Sequence, residues 1–120
     1  MGYYSDVALC LTKNGMDQLK SALVQAERNN PENFAAIKML IGGEPSKIDE
    51  GSGSVVFLWE GEKWYEEFAE MAFVAKLMDN LPSEDFLFIR IGEDYDDIET
   101  RGSYQGNPQR VRIAREIAAD

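Results

Sequence analysis

The stretch SDVALCLT, residues 5–12, decides how the chain is put together. Val7, Leu9 and Leu11 alternate with Ala8 and Cys10, so a strand here carries apolar side chains on both faces. A strand with two apolar faces must be covered on both sides, which places it at the centre of a sheet. Asn14 then offers a helix N-cap, with Asp17 in the first turn, and Met16, Leu19, Ala22, Leu23 and Ala26 follow at helical spacing.

Asn30-Pro31-Glu32 restarts the pattern with a cap, a proline suited to the first helical position and an acid. Phe34, Ile37, Leu40 and Ile41 form the stripe of a second helix over 31–41, with a strand over AAIKMLI as the alternative. SKIDEGSGSVVFLWE (46–60) reads as a β-hairpin turning at Gly51 to Gly53. WYEEFAEMAFVAKLMDNL (64–81) reads as the strongest helix, with Trp64, Phe68, Met71, Ala75 and Met78 on one stripe and Pro82 beyond its end. FLFIRI (86–91) reads as a strand. In the tail, Val111, Ile113 and Ile117 alternate with Arg110, Arg112, Ala114 and Glu116. That spacing predicts a last strand paired onto 97–104 across the QGNP turn, with a final helix as the alternative.

The expected fold is a single α+β domain over 1–120: a mainly antiparallel sheet with two or three helices packed on one face. At 120 residues and 44% hydrophobic content the chain can bury one core, which sets it apart from a disordered acidic tail. No apolar run reaches the ~18 to 20 residues of a membrane span, and the first residues lack the basic start and cleavage site of a signal peptide. One cysteine allows no internal disulfide, so a cytoplasmic setting is expected. Cys10, inside an apolar run, reads as an inert core thiol.

Charge is distributed unevenly around a net value of −10. Residues 1–43 are neutral, residues 44–100 hold 16 acids against four bases, and residues 101–120 hold four arginines against two acids. Such a field repels nucleic acid and acidic membranes and attracts basic surfaces. The densest patch is IRIGEDYDDIETRG (89–102), where Glu93, Asp94, Asp96, Asp97 and Glu99 fall within seven positions. A solvated loop partly offset by Arg90 and Arg101 is one reading; an interface for a basic partner is the other. Glu62, Glu66 and Glu70, spaced i, i+4, i+8 on the expected helix, would extend that interface with Glu60 and Glu67. Most of the aromatics, Tyr3 included, read as core, although Trp64 and Tyr65 are helix neighbours and cannot both point inward.

Catalytic signatures are missing from the sequence. There is no histidine, and with it go the commonest general base and metal ligand. No phosphate-binding glycine loop or nucleophile elbow occurs. An EF-hand started at Asp94 has Asp96 at position 3, but Ile98, Glu99 and Gln105 fall at positions 5, 6 and 12, where a ligand, Gly and Glu are needed. No cofactor or resident metal is therefore expected.

Three stretches, MGYYSDVAL, KWYEEF and FIRIGEDYDDIETRG, together resemble a family of small acidic proteins encoded in phages and prophages. The likeness runs from residue 1 to about 102, is most specific in the last stretch, and does not include the tail from Ser103. It carries no catalytic residues. It implies a bacterial host cell and a non-enzymatic protein that binds and inhibits a host defence protein of CRISPR or restriction type, in some cases by presenting carboxylates where the target expects phosphates. The expected partner is a basic, nucleic-acid-binding protein, with no direct contact to nucleic acid or membrane. The alternative is an immunity or antitoxin-like protein neutralising one toxin. A metal-binding or small-molecule enzyme and a virion component are further classes. A homodimer formed by edge pairing of the tail strand is also open.

Overall fold

The structure, a computed structural model, describes residues 2–114. β1 (Ser5–Leu11) is followed by α1 (Lys13–Asn29), α2 (Pro31–Ile41), β2 (Lys47–Asp49), β3 (Ser54–Glu62), α3 (Ala69–Asp79), β4 (Phe86–Ile91) and β5 (Ile98–Gly102), with short 3₁₀ turns at Ser83–Asp85 and Tyr104–Gly106. The five strands form one antiparallel sheet in the order β2-β3-β1-β4-β5. β1 lies at its centre, as its two apolar faces require.

The odd-numbered residues of β1 face the helices. Leu9 sits between Phe57 on β3 and Phe88 on β4, and Leu11 between Val55 and Phe86. These join Leu19 of α1, Ile37 and Ile41 of α2, and Val74, Leu77 and Met78 of α3 in a single core. All three helices thus lie on one face of the sheet. Cys10 and Val56 point to the opposite face, yet each is only 1% exposed.

The last described residues explain that burial. Asn107, Gln109, Val111 and Ile113 are half-buried while Pro108, Arg110, Arg112 and Ala114 are exposed. Gln109 Nε2 donates to the carbonyl and Oγ of buried Ser54 (3.0 and 3.2 Å), and Val111 to Ala114 border a cavity of about 190 Å³ together with Ala8, Leu58, Ile89 and Ile91. The segment therefore runs as a strap over the second face, on a path passing Val56 and Cys10. The period-two alternation read from the sequence is present, but no strand forms over 107–114 and no pairing with 97–104 is made. β5 pairs with β4 instead. The Asn107 side chain accepts from the Val111 amide (2.9 Å) and donates to its carbonyl (2.7 Å), so those groups are satisfied without a ladder. Ile117, the end of the expected strand, lies outside the described residues.

Other departures are local. Thr12, not Asn14, caps α1: its Oγ1 accepts from the Gly15 amide at 3.2 Å and donates to Asp85 Oδ1 at 2.8 Å. Asn14 donates to Asp85 Oδ2 (2.7 Å), and Asp17 falls beyond the first turn. Asn30 precedes α2 at the cap position, but its side chain accepts from Asn33 Nδ2 (3.0 Å) instead of from the helix backbone. The helix expected over 64–81 spans only Ala69–Asp79. Residues 63–68 form turns, because Trp64 is drawn against Trp59 and Phe88 (ring centroids 5.2 and 5.9 Å). A helix there would also stack Glu66 on Glu70, with like-charge repulsion of about 0.2–0.5 kcal/mol.

Candidate functional site

The acidic patch is the loop of the β4–β5 hairpin. Gly92 donates to the Asp97 carbonyl (2.8 Å), Asp97 to that of Asp94 (3.0 Å) and Ile98 to that of Asp96 (3.1 Å), so the loop is closed by its own backbone. At its base Arg90, opposite Glu99 on β5, is half-buried. Its Nη2 meets Asp97 Oδ1 at 2.9 Å, its Nε meets Glu99 Oε1 at 2.9 Å, and its Nη1 donates to Ser5 Oγ at 3.0 Å. One guanidinium so neutralises two of the five carboxylates.

A second anchor comes from the N-terminal segment. Tyr3 Oη donates to Asp97 Oδ2 (2.7 Å) and accepts from the Asp94 amide (3.0 Å), while the Tyr3 amide donates to Tyr65 Oη (2.6 Å). Gly92 makes this approach possible, since a Cβ there would collide with both Tyr3 Oη and Asp97 Oδ2. The Arg90 hydrogen bond, followed by that from Tyr3, holds the Asp97 carboxyl below the ordinary carboxylate range. On Tyr3 the Asp94 amide pulls the phenol pKa down, but the bond to Asp97, burial and the nearby acids outweigh it and the net shift is upward. Arg90 is raised further by the Asp97 bond against the opposing effect of burial.

Asp97 and Glu99 are consequently turned to the hairpin's base, while Glu93, Asp94 and Asp96 remain exposed at its tip beside Tyr95, which is 79% exposed. Arg101, expected to offset the loop, instead pairs with Asp79 at 2.7 Å. The expected helical stripe of acids does not exist: Glu62 ends β3 opposite Ser5, Glu66 lies in the turns before α3, and Glu70 is in the first turn of α3. Glu62 still belongs to the acidic end, because Ser5 is the residue that Arg90 touches. Asp6, not singled out from the sequence, accepts from the Gly61 amide at 2.9 Å on the neighbouring strand.

Aromatic residues border the same end. Tyr65 and Phe68 pack edge to face (5.4 Å), and Lys63 Nζ lies 5.7 Å over the Tyr4 ring. Trp64 takes the inward place and Tyr65 the outer one, although no helix carries them. Tyr3, read as core, proves to be the loop's anchor; no local pattern marks a contact 94 residues apart in sequence.

Among the described residues no three Asp, Glu or Cys side chains gather into a group that could hold a metal ion. Nor is any described helix long and apolar enough to cross a membrane. Burial pushes the Cys10 thiol up to about 11, consistent with an unreactive core position. No family model, curated protein or solved structure matches the chain.

Proposed function

We propose that the chain is a non-catalytic, phage-derived binding protein that occupies and inhibits a basic, nucleic-acid-handling protein of a bacterial host. The hairpin tip carries the contact. What supports this reading is the way the tip's acids are presented. Glu93, Asp94 and Asp96 stand exposed on a loop fixed at its base by Arg90 and Tyr3, and none of the three forms an ion pair among the described residues. A pre-ordered loop loses little side-chain and backbone freedom on binding. Carboxylates held this way can occupy sites where a target receives phosphates, and they speed encounter with a positive surface.

Exposed aromatics at the same end add the residue types that dominate interface energies: Tyr95 at the tip, and Tyr4 and Phe68, 42% and 39% exposed. The resemblance of residues 1–102 to small phage-encoded acidic proteins points the same way, as does the excess of acids over residues 44–100.

The test is affinity capture from bacterial lysate at low salt and at ~0.5 M salt, where exposed charge pairs are strongly screened. A second bait carries Glu93→Gln, Asp94→Asn and Asp96→Asn. The expected result is a nucleic-acid-binding partner lost both with salt and with the variant. A partner retained in both would refute the charge-led contact and move the interface to the aromatics. A single toxin-like partner held through high salt would favour the immunity-protein reading.

A further inference from the structure

On the helical layer, a cleft of about 410 Å³ opens between α1 and α3. It exists because small side chains stand where larger ones would close the helices together: Ala22 and Ala26 on α1, Ala69 and Ala72 on α3. Its floor is apolar, built from buried Ile37 and Leu77 with half-buried Phe73. The polar groups lie around it. Gln25, Asn29, Asn30 and Asn80 supply amides, and Lys76 supplies an ammonium group.

The charge of this lining is out of character with the chain. Among the described residues, no carboxylate lines the cleft. Among the described residues Lys76 is its only charged side chain, and it makes no ion pair with any of them. Asn80 Nδ2 donates to the Lys76 carbonyl (3.1 Å), which ties the two residues together on the last turn of α3. An apolar floor with a few convergent polar groups, in a volume of this size, is the usual make-up of a small-molecule site.

We propose that this cleft binds a small organic monoanion: an apolar body seated on Ile37, Phe73 and Leu77, bearing one carboxylate that meets Lys76 and the neighbouring amides. A cationic ligand would find no counter-charge here, while carboxylates abound elsewhere on the surface. A phosphate monoester carries about −1.5 to −2 charge, more than one ammonium group offsets. The site is independent of the acidic hairpin and of the function proposed for it.

The experiment is an amide NMR titration of the full chain with 4-phenylbutyrate, and in parallel with its neutral analogue 4-phenylbutyramide. The acid is expected to give saturable shifts confined to α1, α2 and α3, and the amide to bind about tenfold more weakly, the discrimination of one charge-assisted hydrogen bond. Lys76→Met, at an exposed position, should bring the acid down to the affinity of the amide and leave the amide unchanged. Ala72→Leu, also exposed, should abolish binding of both by filling the cleft. No saturable shift with either compound would overturn the proposal. So would equal affinity for acid and amide, or an acid affinity indifferent to Lys76→Met.

Discussion

Trp64→Ala tests whether one side chain pins the non-helical segment 63–68 to the core. Trp64 sits at ring-centroid distances of 5.2 Å from Trp59 and 5.9 Å from Phe88, in tilted geometry. Trp59 in turn lies against Phe57 at 5.9 Å and donates its indole N–H to the Leu40 carbonyl at 3.0 Å. Deleting a large aromatic from a core costs about 3–5 kcal/mol, and Trp64 is half-buried, which places it near the lower end. Aromatic pairing adds roughly 0.5–1.5 kcal/mol per contact beyond area, part of it already counted in the deletion. The expected loss is about 3–4 kcal/mol, a large share of the ~5–15 kcal/mol of an ordinary domain. For a chain of this length it corresponds to a Tm lower by roughly 10–20 °C. Urea unfolding followed by far-UV circular dichroism measures it, and an unchanged slope against urea would show that the folded state is otherwise intact. A loss below about 1 kcal/mol would refute the reasoning, because it would mean that residues 63–68 are held by something other than Trp64.

Three further outcomes follow from the same contacts. Asp97, with its folded-state pKa depressed, contributes stability above its unfolded value of ~3.9 that is lost as pH falls through the folded value. Tyr3, with its pKa raised, contributes stability below ~10 that is lost as pH climbs through its folded value. A Tm-against-pH profile should therefore fall at both ends, with Asp97→Asn flattening the acid limb and Tyr3→Phe the alkaline one; coincident profiles would count against the network. Cys10, under the strap, should resist thiol reagents at pH 8, whereas removing residues from 107 onward should speed its reaction by about tenfold or more through easier local opening. Equal rates would show that the strap does not guard that face. Gly106→Ala should cost about 1–3 kcal/mol, since a Cβ at this buried position would overlap the Phe86 backbone; chemical denaturation measures it, and a neutral result would mean the 3₁₀ turn shifts freely.

The central strand was legible because its two faces are both apolar, a pattern that only a flanked strand satisfies. The second helix was marked by Pro31, and the β2–β3 hairpin by its glycines, of which Gly53 adopts φ 76°. The start of α3 was misread because Trp64 and Phe68 share helical spacing with Met71, and spacing cannot reveal that Trp64 has aromatic partners on β3 and β4 strong enough to override it. Alternation in the tail was real, yet a period of two reports only which side chains turn inward. It does not say whether the backbone pairs at an edge or crosses a face. At the acidic hairpin the sequence located the carboxylates and named Arg90 as a counter-charge. Their division into a neutralised base and an exposed tip depends on Tyr3 and on cross-strand register, which no local window contains.

The order of the strands also sets a schedule for synthesis. β1 finds its hydrogen-bonding neighbours only in β3 and β4, so its second edge stays open until Ile91 has been made. At ~5–20 residues per second, the 80 positions from Leu11 to Ile91 take roughly 4–16 s to add. Throughout that interval an apolar strand waits with one or both edges unsatisfied, the kind of surface on which chaperones and misassembly compete. The strand that closes the wait, β4, is also the one that carries Arg90. The acidic hairpin is thus assembled in the same late step that completes the sheet, and a nascent chain cannot display it before the core beneath it exists.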